Sequence, residues 1–252
     1  MIPYSLALLF ITGIVFGSFI SVLIFRLHTG KKGILWGKSV CPHCDKKLRA
    51  TELIPLISYL LQRGKCKKCK KNINWHYPVL ELSTGLIFMA IGLFSLNPLW
   101  LFLIYGFLLT FIFFYDLLYM EIPDEIMIPA ILIAALGCLH PATITLSDGA
   151  LGALLLTGFF LAQILISKGK WLGGGDLRIG AFMGFILGLQ ATLIAIFSAY
   201  LIGSIVSITL IASGKASRKS MIPFGPFLVI GTFVALFYGK VLVDWYLNFI
   251  YL

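Results

Sequence analysis

The sequence predicts an all-α polytopic membrane protein of about eight transmembrane helices, with one substantial polar loop domain between the first two. Three observations carry this. Of the 252 residues, 60% are hydrophobic and 12% charged, with a mean hydropathy of +0.99; soluble domains run at about 45–50% apolar and about 25% charged. The apolar residues come in unbroken runs, and roughly 20 residues of helix cross a bilayer, whereas the ten-residue alternation of a membrane β-barrel is absent. The charge is also localised. Residues 28–78 hold twelve Lys and Arg (Lys31, Lys32, Lys38, Lys46, Lys47, Arg49, Arg63, Lys65, Lys67, Lys68, Lys70, Lys71) against Asp45 and Glu52, which is the whole net excess of +10.

Taken in order, the first span is expected at about 4–27, ending at Arg26. No basic region precedes it and no small-residue cleavage site follows, so it reads as a retained helix and not a signal peptide. The polar loop runs over 28–77. Further spans are expected at about 78–96, 98–116, 126–141, 149–167, 177–190, 191–213 and 223–243; those at 126–141 and 177–190 are short enough to suggest tilt, a re-entrant entry or a thinned site. Basic residues mark the cytoplasmic side of such a protein. The 28–77 loop, Lys168/Lys170 and Lys215/Arg218/Lys219 then all face the cytoplasm, with both termini outside. A basic cluster can also mark nucleic-acid binding. Between apolar spans topology explains it more simply, so lipid and not nucleic acid is the expected partner. No internal repeat is apparent in the sequence.

Within the loop, Cys41-Pro-His-Cys44 and Cys66-Lys-Lys-Cys69 are separated by 21 residues. Two C-x-x-C pairs supply four thiolates, the donor set of a closed structural zinc site with no open position for a catalytic water. His43 reads as a turn residue and not as a ligand. The intervening Ile54–Leu61 is expected either to form the small domain's core or to touch the membrane surface. Cys138, alone in an apolar run, reads as a buried small hydrophobe.

Ionisable residues at membrane depth are expensive and are functional candidates by default. Asp116 ends an apolar helix, and Asp176 follows the glycines Gly173, Gly174 and Gly175 just before another. Two carboxylates in one partly desolvated site share a proton, so one can act as base towards water while the other donates to a carbonyl. Glycines beside an aspartate let a substrate backbone approach closely. Other readings stand beside this one. Asp176 fits an N-cap, Asp116 an ion pair with Arg178, and Asp124, after Pro123, an N-cap of the next helix. Ser220–Pro226, with Pro223, Gly225 and Pro226, is either loop punctuation or a broken helix start lining a cavity. Arg26 and Glu81 flank the loop, and Glu81 requires a partner, for which Arg26 is a candidate.

Several of these segments resemble one family. Gly17-Ser18-Phe19 through Arg26, the double C-x-x-C around Glu52-Leu-Ile-Pro-Leu-Ile-Ser-Tyr, and Tyr77-Pro-x-x-Glu81 are similar to the N-terminal half of type IV prepilin peptidases. Asp116, Pro123-Asp124, Gly173-x-Gly175-Asp176 and Ile222-Pro223-Phe-Gly225-Pro226 resemble the peptidase half, in the family's order, over about 14–228. The resemblance implies a G-x-G-D aspartic protease of the bacterial inner membrane that removes the leader of prepilins and pseudopilins on the cytoplasmic face, after a glycine. Asp116 and Asp176 take the catalytic positions, supported by Asp124, Gly173, Gly175, Pro223, Gly225 and Pro226. It further implies methylation of the new N-terminus with S-adenosylmethionine, through Gly17, Ser18, Phe19, Arg26 and Glu81. On this reading residues 1–97 form a methylation half and 98–252 a peptidase half. Two positions depart: Ser21 stands where the family usually has Asn, and Glu52 where an Asp is common nearby. Both fall in the methylation half, leaving a peptidase without methylation as the alternative. Presenilin-type proteases share the aspartates but lack the cysteine loop. A scaffold that docks partners through the zinc loop, or an ion path through the paired acids, would not require the remaining motifs.

Overall fold

A computed structural model describes residues 6–30, 37, 39–217 and 220–250; Lys31, Lys32, Lys38, Arg218 and Lys219 of the basic segments lie outside them. Among the described residues the regular structure is helical: α1 (Leu6–His28), a 3-10 turn (Ala50–Glu52), α2 (Ile57–Leu61), α3 (His76–Leu93), α4 (Leu99–Tyr119), α5 (Asp124–Gly137), α6 (Leu146–Ser167), α7 (Gly174–Ala212) and α8 (Gly225–Ile250). Six of these, α1, α3, α4, α6, α7 and α8, are long and apolar enough to cross a membrane by length and composition. Large apolar side chains such as Leu154, Leu165, Phe197 and Phe249 point outward. That arrangement suits a solvent of lipid, where apolar exposure costs nothing.

The 39 residues of α7 would span about 58 Å if straight, roughly twice the hydrocarbon thickness. They do not run straight. Gly188 adopts φ 72°, ψ 179° inside the helix. Before it, Gly184 lies against the backbone of Gly152 and Ala153, and Gly180 against Phe160, so this arm runs antiparallel to α6. After it, Leu193 and Tyr200 run back along Leu155–Phe159, and Tyr200 reaches Gln163. The chain therefore reverses at Gly188, and the two spans expected at 177–190 and 191–213 are the two arms of α7. Asp148, in the first turn of α6, accepts the Leu189 N–H at 3.1 Å and so caps the second arm. A Cβ at Gly188 would collide with that carboxylate. The remaining short span, expected at 126–141, is the 14-residue α5.

Contacts divide the chain into two compact units, residues 1–111 and 112–252, with the division inside α4. In the first, α1 packs on α3. Gly13 and Gly17 meet the α3 backbone so closely that a Cβ on either would lie within 2.8 Å of it, the small-residue route to tight crossings in membranes. In the second, α7 packs on α5, α6 and α8.

Candidate functional sites in each unit

In the second unit, Asp116 lies in the last turn of α4 and Asp176 in the first turn of α7, and both are largely buried, at 7% and 9% exposure. Each carboxylate is held by a helix N-terminus, where unpaired N–H groups favour negative charge. Gly225 N, opening α8, donates to Asp116 Oδ2 at 2.9 Å, and Gly173 N donates to Asp176 Oδ2 at 3.1 Å. Asp176 is thus the third residue of its helix, bonding back to the capping Gly173, and not the N-cap itself. The two acids lie within electrostatic reach of each other.

Gly225 is the point of convergence. A Cβ there would lie 2.6 Å from Asp116 Oδ2 and 3.2 Å from Ile179 on α7. Gly175 allows the turn before α5 to close on α7, since its Cβ would meet Ile122 at 2.9 Å. Gly174, by contrast, faces open space. Phe224 anchors the broken start of α8, its ring 5.0 Å from that of Tyr200 and 6.3 Å from that of Phe160. Neither Tyr200 nor Phe160 carries any mark in the sequence beyond being aromatic in an apolar run. Pro223 and Pro226 line an apolar groove of about 450 Å³, together with Leu210 and with Phe113 and Leu117 of α4, which flank Asp116 in the chain.

Asp124 departs from the N-cap reading. Pro123 is the N-cap of α5 and Asp124 its first residue. Its carboxylate makes a two-pronged pair with Arg178, at 2.7 and 2.9 Å, so Arg178 pairs with Asp124 and not with Asp116. Tying the 120–124 turn to α7 fixes the segment that covers Gly175.

In the first unit, the sulfurs of Cys41, Cys44, Cys66 and Cys69 all lie within 4.8 Å of one another. A tetrahedral ion with S ligands at about 2.3 Å requires S···S separations near 3.8 Å, and Cys41 and Cys69 are 4.0 Å apart. The donor set and geometry fit. His43 is not in the cluster. The backbone also carries a repeat that the sequence hides. Residues 39–48 and 64–73 make the same bonds at a spacing of 25: Cys41 N to Lys46 O and Cys66 N to Lys71 O, Asp45 N to Cys41 O and Lys70 N to Cys66 O, Leu48 N to Ser39 O and Ile73 N to Gly64 O. Both turn at a residue of positive φ, Asp45 (50°) and Lys70 (60°). Only the cysteines and one lysine recur, because the fold of a metal knuckle lies in its backbone bonds. N–H groups of Cys69 and Lys68 directed at Cys66 hold its thiol down to about 6, while burial pushes Cys41 up to about 11.

Glu52 is buried between the knuckles. It accepts Arg49 N at 2.9 Å and pairs with Lys46 at 2.6 Å, which hold its carboxyl below the usual range. Ile57, Leu60 and Leu61 of α2 are exposed; of the two readings for this segment, the buried core is excluded. Of the five residues matched to methylation, Ser18, Arg26 and Glu81 line one cavity. Gly17 serves the crossing of α1 and α3 beside it, and Phe19 is partly exposed, stacked on Phe107. Glu81 finds its partners in Leu56 N, at 2.7 Å, and the Ser18 hydroxyl. The Arg26 guanidinium donates to Gly37 O at 2.8 Å.

Two family models match the chain. Residues 11–94 match the bacterial peptidase A24 N-terminal domain and residues 101–208 the type IV leader peptidase family. The chain is 34% identical to a prepilin leader peptidase/N-methyltransferase of Bacillus subtilis, covering 96% of this chain and 98% of that one. The chain belongs to the type IV prepilin leader peptidase family. Enzymes of the same name from Aeromonas hydrophila (31% identical, 96% of this chain and 93% of that one) and Neisseria gonorrhoeae (27%, 92% and 90%) are also similar to it. No solved structure matches it. Family membership makes this a multi-pass bacterial membrane protein and an aspartic endopeptidase.

Proposed function

We propose that this family member cleaves the leader from type IV prepilins or pseudopilins with Asp116 and Asp176 as the catalytic pair, and N-methylates the exposed amine with S-adenosylmethionine. The meeting of α4, α7 and α8 at Gly225 supports the peptidase reading, because two buried carboxylates there lie within electrostatic reach of each other, one oxygen of each held by a backbone N–H. Two such acids hold one proton between them. The ionised one takes a proton from water, which adds to the scissile carbonyl carbon, and the protonated one donates to the carbonyl oxygen. Collapse breaks the C–N bond and returns a proton to the leaving amine. The substrate's apolar helix enters along the groove lined by Phe113, Leu117 and Pro226, while open space at Gly174 admits its backbone. Residues 98–252 form this peptidase half and 1–97 the methylation half.

The four cysteines hold a structural zinc: four thiolates leave no site for chemistry on the ion. S-adenosylmethionine, when bound, supplies an electrophilic methyl group on a sulfonium. The basic loop, Lys168 and Lys215 set the aspartates on the cytoplasmic side, with both termini outside. The deciding test is the intact mass of a model prepilin incubated with purified protein and S-adenosylmethionine, beside an Asp176→Asn control. Loss of the leader plus one methyl group is expected. Cleavage by the Asp176→Asn protein would overturn the catalytic assignment, and leader loss without a methyl would leave a peptidase alone.

A further inference from the structure

The first unit contains a cavity of about 200 Å³ walled by α1, both cysteine knuckles, α2 and the start of α3. Its lining is mainly apolar and aromatic, but three buried charged side chains converge on it, Arg26, Glu52 and Glu81. A mainly apolar cavity with a few placed polar groups is the ordinary form of a small-molecule site. Buried charges are retained only where something compensates them. Glu52 is compensated by Lys46. Glu81 accepts Leu56 N, and it does so across a strained turn: Leu56 has φ 58°, ψ −51°, and Ile57 N bonds back to Pro55 O at 2.6 Å. That is a γ-turn of the rare, positive-φ kind. Strain of this sort persists where the surroundings over-determine it, commonly at ligand sites. Glu81 thus both faces the cavity and holds the strained segment that leads into α2.

We infer that this cavity is the S-adenosylmethionine site of the chain, with Phe25, Tyr59 and Tyr77 offering faces to the adenine, Arg26 meeting the carboxylate, and Glu81 drawing the cationic end. The inference rests on the methyltransferase reading above and gives it a place. Three properties of the ligand match the wall. A purine stacks on aromatic rings, a carboxylate pairs with a guanidinium in a planar fork, and the sulfonium and ammonium charges require a carboxylate nearby. The match also gives the metal a purpose. Cys41 and Cys66 are themselves part of the wall, so the zinc cluster fixes one side of the pocket without touching the chemistry. Ser21 also lines it.

The test is equilibrium dialysis of the full-length, zinc-loaded protein in detergent against labelled S-adenosylmethionine and, separately, S-adenosylhomocysteine. Wild type is expected to bind one equivalent of each. Ser58→Trp and Val22→Trp, which fill the cavity from α2 and from α1, should each weaken both ligands at least about tenfold. Glu81→Gln keeps an acceptor for Leu56 N but loses the charge, so it should weaken the sulfonium ligand more than the neutral thioether. Leu154→Ala, on the exposed face of α6 in the second unit, should bind as wild type. Zinc content identifies any variant that has lost its fold. Zinc-loaded filling variants that bind as tightly as wild type would overturn the location while leaving methylation intact. Wild type that binds neither ligand and cleaves prepilin without methylating it would overturn the methyltransferase reading itself.

Discussion

Asp116 and Asp176 each engage one carboxylate oxygen with a glycine N–H, and this makes the glycines as consequential as the acids. Replacing either aspartate by Asn should lower the cleavage rate at least about a hundredfold, the usual worth of a positioned acid or base, while the protein still inserts. Gly225→Ala belongs with them. Its methyl would press on Asp116 Oδ2, so cleavage assays should show a loss approaching that of Asp116→Asn; activity within a few-fold of wild type would count against the observed convergence. Asp124 acts through its pair with Arg178, about half exposed and worth about 0.5 kcal/mol of stability. Asp124→Asn is therefore expected to reduce cleavage partially, with normal thermal unfolding.

At the scale of elements, two devices carry the fold: the paired knuckles and the hairpin of α7. Glu52 links the first knuckle to the segment that follows it. Its carboxyl lies below its ordinary 4.5 in the folded chain. The stabilisation is therefore complete above about pH 4.5 and is lost as pH falls through the folded value. Glu52→Gln should speed zinc release to a chelator near neutral pH, and the difference from wild type should shrink as the pH falls below about 4.5; a difference that grows with acid would contradict the sign. In the hairpin, Gly184 touches the backbone of Gly152 and Ala153. Backbone cannot yield as a side chain can, so Gly184→Ala should destabilise the second unit by about 1–3 kcal/mol, seen as a lower unfolding midpoint in detergent.

For the whole molecule, the two compact units predict separable activities. Asp176→Asn should bind S-adenosylhomocysteine normally and leave prepilin uncut, whereas Glu81→Gln should cut prepilin and transfer little methyl. Glu81→Ala is less discriminating because it also removes the acceptor for Leu56 N. Equal loss of both activities in Glu81→Gln would show that the units fail together. The orientation has its own test. A tag inserted at His140 should be reached from outside intact cells, and one at Lys168 only after permeabilisation.

Length, apolar runs and the lysine-rich loop determined by themselves that this chain spans a membrane several times, and roughly where, because a bilayer admits few structures and each is written in composition. The paired C-x-x-C determined a four-thiol cluster fit to hold a metal for a similar reason, the donors being local. Tertiary structure alone decided what those residues touch. The knuckle repeat lies in backbone bonds between residues of unlike side chains, the reversal at Gly188 in a single dihedral, and the partner of Arg178 in a contact 54 positions away. The same holds for Phe19 and Arg26, seven residues apart on one helix: one stacks outward on Phe107 and the other lines the cavity. Sequence records which groups are present. Which of them share a site depends on packing between segments far apart in the chain, and that is where Gly225 meets Asp116.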